Sequence, residues 1–487
     1  MSGFHSTVSR RDFMKTIGLI GAGIGGASLV APVFHDVDEL TSSDSGNRKR
    51  AWWVKERDYF DPTVECDWNI MKQRDPTITG QIPEHFWGTQ AVNDATAKGV
   101  AAEAQKATAK APGYSYQNQA LKATMENQPY KLKTWADFTA TSGQFSKVQS
   151  AAQRGEPKWT GTPEEGTRLL SAMLRVSGSA LSGFGSLDDA KMKKMISTNV
   201  KNKSPIKIVF ENVDKGYDNA TKQVIPDRPG WSTITTFTLH SNDFWKYTPA
   251  FATVANKTCS YRINISPRLH NFITYMGYDL LGYGVDDSSP MIEGAPAALT
   301  GIGELSRQGL YVLTPEYGPS GRLISYVSNF PLEATKPIDA GLYRFCHSCH
   351  KCANHCPPGV INQDKEPSWD ITPGTINGIA NTAHNSGTKQ FWPEHVGCRM
   401  YINESGGCHQ CWGTCTFNVN SGATIHEVIK GTVATTPLLN GFFFSMAENF
   451  GYGDSNQKAE DWWDLSLPVC GIDTSRVAYN GGYRKGL

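Results

Sequence analysis

The sequence predicts an α+β protein of more than one domain, and three observations carry that reading. Helical and strand patterns follow one another without regular alternation, which argues for segregated helices and strands rather than a doubly wound parallel sheet. Eight of the eleven cysteines fall between Cys346 and Cys415, which sets that stretch apart from the rest. The 487 residues leave room for two or three domains, or for one large core with a satellite.

Residues 1–35 are expected to be a Tat export signal. Arg10-Arg11 precedes nineteen uncharged residues, Thr16 to Phe34, and acidic sequence resumes after His35. Nineteen such residues are long enough to span a bilayer, but five are glycine, which lowers hydrophobicity and helix propensity together. Gly21-Ala-Gly23-Ile-Gly-Gly26 matches a dinucleotide-binding fingerprint and is set aside, because that fingerprint has meaning only between a strand and a helix.

Residues 36–155 read as a polar, weakly periodic region that wraps a core made later, with Trp52-Trp53 as packing residues. Order improves from residue 156. Thr162 and Glu165 form a capping box with Pro163 at the first helical position, and Leu169, Leu170, Met173 and Leu174 repeat at helical spacing. Ile206–Glu211 and Ser232–Leu239 read as strands, and Leu269–Leu281 as an amphipathic helix. A loop-rich stretch, 301–309, leads into Tyr311-Val-Leu. The core is expected over 156–335, a cysteine-bearing domain over 336–424, and a Gly- and aromatic-rich segment, 425–487, packing back on the core.

The first cysteine run, Cys346, Cys349, Cys352, Cys356 and Pro357, is C-x2-C-x2-C-x3-C-P. The second is Cys398, then Cys408, Cys411 and Cys415, with Thr416 where the first run has proline. This is the ligand pattern of two [4Fe–4S] clusters, in which the fourth cysteine of each run crosses to the other cluster. On that rule Cys346, Cys349, Cys352 and Cys415 hold one cluster, and Cys398, Cys408, Cys411 and Cys356 the other. Structural zinc is the competing reading, but zinc needs neither a third cysteine three residues on nor a fourth before a proline. A disulfide framework belongs to short secreted chains. His347, His350, His355 and His409 read as polar loop residues. A formal charge of +1 gives no field for nucleic acid or an anionic surface.

An export signal, a large central region and two ferredoxin-type motifs together resemble the respiratory reductive dehalogenases. Lys158–Glu165, Gly303-Glu304-Leu-Ser-Arg307, Lys336–Gly341 and Val433–Pro437 followed by Asn440–Phe443 are each similar to chloroethene-type members. The resemblance implies a base-off corrinoid in a nitroreductase-like domain, followed by a ferredoxin-like domain with two [4Fe–4S] clusters. The chain lacks the D-x-H-x-x-G segment of proteins that ligate cobalt through histidine, in keeping with the family. It further implies removal of halide from a small organohalide, such as a chlorinated ethene, by a Co(I) corrinoid fed through the clusters. The implied partners are a small integral membrane anchor and an electron donor of the quinol or hydrogenase type. The implied location is the outer face of the cytoplasmic membrane.

The family's proton donor is a tyrosine with a basic residue beside it. Arg322 matches the basic position. Counting back from Gly277-Tyr278 falls on Cys259, and a two-residue deletion at Ser266-Pro267 brings Tyr261 into register as the donor. The family's frequent pocket asparagine is absent, with Val285 near its place. Two other readings stay open: an exported two-cluster electron carrier without corrinoid, and a corrinoid enzyme resembling epoxyqueuosine reductase.

Overall fold

The structure, a computed structural model, describes residues 50–73, 83–117, 119, 135–136, 148–196, 199–201, 204–219, 221–239, 265–282, 290–291, 294–309, 311–408, 410–418 and 424–449. Its centre is a five-stranded antiparallel sheet in the spatial order Trp135–Ala136, Leu280–Leu281, Gly321–Ser328, Ser232–Leu239, Leu181–Ser186. The two long strands pair over their full eight residues, from Gly321 opposite Leu239 to Ser328 opposite Ser232.

Side chains alternate across a strand, so each long strand feeds two cores. Phe184, Ile234, Leu280, Ile324 and Tyr326 face one way and pack with Leu170, Leu174, Leu269 and Ile273 from two helices, Pro163–Val176 and Ser266–Met276. Leu181, Phe237 and Leu323 face the other way, against Ala297 and Ala298 of the helix Gly294–Leu299. Burial on both faces explains why these strands read as apolar and hydroxylated rather than as strict alternation. Buried hydroxyls find partners within the sheet at Thr235 and Ser325, which bond at 2.9 Å, and at Thr236, which donates to the Ile324 carbonyl. A second sheet, Asn199–Lys201, Ser204–Glu211, Lys222–Pro226, Tyr217–Asp218, contains one parallel pair, Ser204–Glu211 with Lys222–Pro226.

The capping box forms as expected: Glu165 N–H donates to Thr162 Oγ1 at 3.1 Å, and Thr162 N–H donates to Glu165 Oε2 at 2.8 Å. Two expectations need correction, the extent of one helix and the packing of the tryptophan pair. The helix predicted over Leu269–Leu281 runs instead from Ser266 to Met276, with Pro267 in its first turn. Gly277, at φ 90°, ends it in the left-handed conformation, and Leu280–Leu281 then joins the sheet opposite Ser328 and Val327. The weakly periodic 36–155 region holds a 20-residue helix, Thr89–Thr108. That helix packs through Gly99, where an added Cβ would overlap the Asn403 carbonyl of the helix His395–Ser405. Of the tryptophan pair, Trp53 is buried but Trp52 is exposed.

Beyond the cysteines, the helices Thr424–Thr435 and Asn440–Asn449 return to the core. Val433, Ala434 and Phe443 pack with Leu342, Phe345 and Cys346. No helix among the described residues is long and apolar enough to cross a membrane. The signal-like segment, Gly21–Gly26, Cys259, Tyr261, Val285 and His409 lie outside the described residues.

Candidate functional site

The first cysteine run winds through two short helices. Cys346 lies in Leu342–Ser348, Cys349 is the extended residue that ends it, and Cys352 lies in Lys351–Asn354. In the second run Cys398 sits on the helix His395–Ser405, which Gly406 ends at φ 80°, and Cys411 sits on Gln410–Gly413. Cys415 follows one turn later. Thr416, at the place of proline in the other run, brings its hydroxyl within 3.6 Å of Cys349 Sγ.

The thiols face one another in two sets. Burial, the largest cause, pushes the Cys346 thiol up to about 12, and Cys349 adds to it. Cys352 is raised well above 9 by burial, then by Cys349, Cys346, Cys415 and Cys411. Cys398 is raised to about 12 by burial, then by Cys408 and Cys356. Cys411 is raised by burial, then by Cys398, Cys408, Cys356 and Cys415. The neighbours thus sort into Cys346, Cys349, Cys352, Cys415 and into Cys356, Cys398, Cys408, Cys411, with Cys352, Cys411 and Cys415 where the sets meet. Among the described residues no three or more His, Cys, Asp or Glu side chains converge on a single metal-ion position. Thiols that burial keeps protonated lose their protons to a multivalent soft metal centre, so these are the residues that would serve such a centre as donors.

A short hairpin, Glu304–Leu305 with Val312–Leu313, supports both runs. The buried Glu304 carboxylate accepts N–H groups of Ala340 (2.6 Å), Leu342 (3.1 Å) and Tyr343 (3.1 Å), at the start of the Leu342–Ser348 helix. Arg307, fully buried, reaches the other end. Its Nε and Nη2 donate to the Cys346 carbonyl at 3.1 and 2.6 Å, and Nε also donates to the Cys349 carbonyl at 3.0 Å. Its Nη1 donates to the carbonyls of Asn362 and Asp364, and the guanidinium lies 3.9 Å over the Phe391 ring. Gln308 Nε2 donates to the Cys411 carbonyl at 2.7 Å. Sequence reasoning singled out 303–307 without assigning these roles. The available signal was a pair of opposite charges three residues apart in an otherwise uncharged, glycine-flanked stretch.

Arg322 lies at the start of the central strand, opposite Thr238, and Nη1 donates to the Tyr311 hydroxyl at 2.7 Å. The Tyr311 ring stands edge-on to Trp412, beside Cys411, with ring centres 4.1 Å apart. Tyr261, between the strand that ends at Leu239 and the helix that begins at Ser266, lies outside the described residues. His347, on a helix rather than a loop, contacts Glu366 at 3.1 Å, and His355 contacts the Lys351 carbonyl at 2.9 Å.

A profile of the reductive dehalogenase subunit family matches residues 49–332. The chain belongs to the reductive dehalogenase family. Two curated members align over almost their entire length. A chloroethene reductive dehalogenase of Dehalococcoides mccartyi strain VS is 29% identical, over 97% of this chain and 99% of that one. A trichloroethene reductive dehalogenase of Dehalococcoides mccartyi strain 195 is 26% identical, over 96% and 98%. Among solved structures, a tagged catabolic reductive dehalogenase superposes with a TM-score of 0.53 at 16% identity, covering 87% of this chain and 52% of that one. A reductive dehalogenase structure described for B12-dependent dehalogenation gives 0.52 at 16% identity, over 86% and 52%. The chain spans about half the length of these solved chains, and at this identity they report the fold.

Proposed function

We propose that this reductive dehalogenase is corrinoid-dependent and removes halide from a small chlorinated compound of the chloroethene type, serving as terminal reductase of anaerobic organohalide respiration. The observation that supports the reading is the gathering of eight cysteines in which Cys415 neighbours Cys346 and Cys349, and Cys356 neighbours Cys398, Cys408 and Cys411, across the two runs. Cys346, Cys349, Cys352 and Cys415 would hold one [4Fe–4S] cluster, and Cys356, Cys398, Cys408 and Cys411 the second. The substrate class follows the two full-length relatives, named for chloroethene and trichloroethene. The corrinoid follows the B12-dependent structure of the same fold.

Bound corrinoid supplies the reducing metal centre at which the carbon–halogen bond breaks, and the clusters supply electrons one at a time. The reaction takes two electrons and one proton, replacing chlorine by hydrogen and releasing chloride. The protein's own part is to exclude water and to deliver that proton. Tyr261 is assigned as the donor: its hydroxyl gives the proton to the carbon that loses halide. The Arg322 guanidinium stabilises the phenolate left behind. In this reading 156–335 is a nitroreductase-like corrinoid domain, 336–424 a ferredoxin-like domain, 1–35 a Tat signal, 36–155 a wrapping region and 425–487 a cover. A membrane anchor and a quinol- or hydrogenase-type donor complete the chain of electrons, with no role for nucleic acid.

The test is cobalt, iron and sulfide per chain after reconstitution without oxygen, with EPR of both redox states and turnover of chlorinated ethenes by wild type and Tyr261→Phe. One cobalt with about eight irons and loss of turnover in Tyr261→Phe support the reading. The same iron with no cobalt would sink it in favour of an electron carrier.

A further inference from the structure

We infer that Arg307 is a positioning residue that raises the reduction potential of the cluster held by Cys346, Cys349, Cys352 and Cys415; the inference rests on the two-cluster reading. Three observations lead to it. Arg307 is fully buried, and every hydrogen-bond acceptor found for it among the described residues is a backbone carbonyl, of Cys346, Cys349, Asn362 or Asp364. No carboxylate lies within ion-pair distance of it among those residues, whereas the half-buried Arg50, Arg57 and Arg154 each pair with one, Arg50 with Glu316 at 3.2 Å. The Phe391 ring lies 3.9 Å from the guanidinium, so the cation is desolvated on that face as well as buried.

An arginine cannot shed its proton to escape burial, so a buried guanidinium needs a compensating negative charge. Carbonyl dipoles supply part of it. Four thiolates around an iron–sulfur cubane supply the rest, because the ligands carry more negative charge than the cubane carries positive. The same pairing works in reverse on the cluster. One-electron reduction adds a negative charge to a centre beside a fixed, desolvated cation, and the cation favours the reduced form. Charge, hydrogen bonding and solvent exposure are the levers that set such potentials, and Arg307 acts through the first two. The guanidinium fork also fixes the carbonyls of Cys346 and Cys349 together, so the thiols on either side of that turn keep their spacing. The contact from the same hairpin to the second set is the neutral amide of Gln308 on the Cys411 carbonyl, and the cation beside that set is Arg399, next to Cys398.

The experiment is potentiometric EPR on wild type, Arg307→Gln and Arg307→Lys, each reconstituted without oxygen, with iron and sulfide counted per chain. The signal of the first cluster is assigned by its loss in Cys349→Ser. Arg307→Gln is expected to make reduction of that cluster at least tenfold harder, a fall of about 59 mV for one electron, with the second cluster unmoved. Arg307→Lys, which keeps the charge and loses the fork, is expected to recover more than half of that fall. If Arg307→Gln loses the first cluster while Arg307→Lys keeps it near the wild-type potential, the charge is again supported. Equal potentials in wild type and Arg307→Gln, equal shifts in both clusters, or loss of the cluster in both variants would overturn the inference and leave Arg307 a loop anchor. A wild-type protein without cluster iron would instead refute the two-cluster reading itself.

Discussion

Arg322 Nη1 donates to the Tyr311 hydroxyl across 2.7 Å, and Tyr311 in turn stands edge-on to Trp412 beside Cys411. The contact joins the start of the central strand to the second cysteine run, so the basic residue assigned to proton delivery is oriented from the side on which electrons would arrive. Two substitutions separate orientation from charge. Tyr311→Phe removes one hydrogen bond, worth about 0.5–1.5 kcal/mol, and is expected to slow dehalogenation roughly 2- to 12-fold with cobalt and iron content unchanged. Arg322→Met removes the cation proposed to stabilise the phenolate and is expected to lower turnover by about 10²-fold or more. Steady-state rates with an artificial reductant measure both. A Tyr311→Phe protein as slow as Arg322→Met would transfer the donor role from Tyr261 to Tyr311.

Much of this site is legible in the sequence because its spacing is local. The cysteine runs, the Thr162–Glu165 cap and the strands Ser204–Glu211 and Ser232–Leu239 each follow from a few consecutive residues. What escaped was long-range. Thr89–Thr108 is rich in alanine, glutamine and lysine, good helix formers, but it has no apolar stripe. Its reason to form is a close approach at Gly99 to residues some 300 positions away. Arg307 likewise means little until the chain brings Cys346, Asn362 and Asp364 around it. The end of the Ser266–Met276 helix was overrun because Leu280 and Leu281 continue the apolar spacing, while Gly277 breaks the backbone.

The crossing cysteines make a prediction that spacing within one run does not. Cys415→Ser should lose the cluster of Cys346, Cys349 and Cys352, although it lies in the second run. Cys356→Ser should lose the cluster of Cys398, Cys408 and Cys411. Each variant is expected to fall from about eight irons to about four, with a different EPR signal surviving. Loss of the same signal from both proteins would contradict the crossed assignment.

Lys351 lies between Cys349 and Cys352 and is 1% exposed, yet its Nζ points away to the Ala447 carbonyl (3.3 Å) and to Glu448 (3.4 Å). It pins the helix Asn440–Asn449 to the first cysteine run. Lys351→Met keeps most of the volume and removes the tie. Glu448 is 39% exposed and rehydrates when its partner is lost, so the cost is expected near 1–2 kcal/mol rather than that of a stranded buried charge. Hydrogen exchange over 440–449 should rise while exchange in the central sheet stays unchanged. Faster exchange in both regions would mean that Lys351 holds the core rather than this helix.

His270 gives a pH dependence whose sign is fixed by burial. It lies within the Ser266–Met276 helix with Nε2 2.8 Å from the Gly282 carbonyl, and burial, only partly opposed by that carbonyl, lowers its pKa from 6.5 to about 4. The folded protein therefore keeps this ring neutral where the unfolded chain has already taken up a proton. Above pH 6.5 both states are neutral and His270 contributes no pH dependence. As pH falls from 6.5 the unfolded state gains protons first, and stability declines until the folded-state value near 4 is passed. A displacement of this size is worth about 3 kcal/mol. His270→Gln keeps a donor for Gly282 and cannot titrate, so it is expected to be less stable than wild type at pH 7 and to lose less stability between pH 6.5 and 4.5. Denaturant midpoints of both proteins across that range, under anaerobic conditions, measure the difference. Parallel pH profiles would mean that His270 is protonated or solvated in the folded protein.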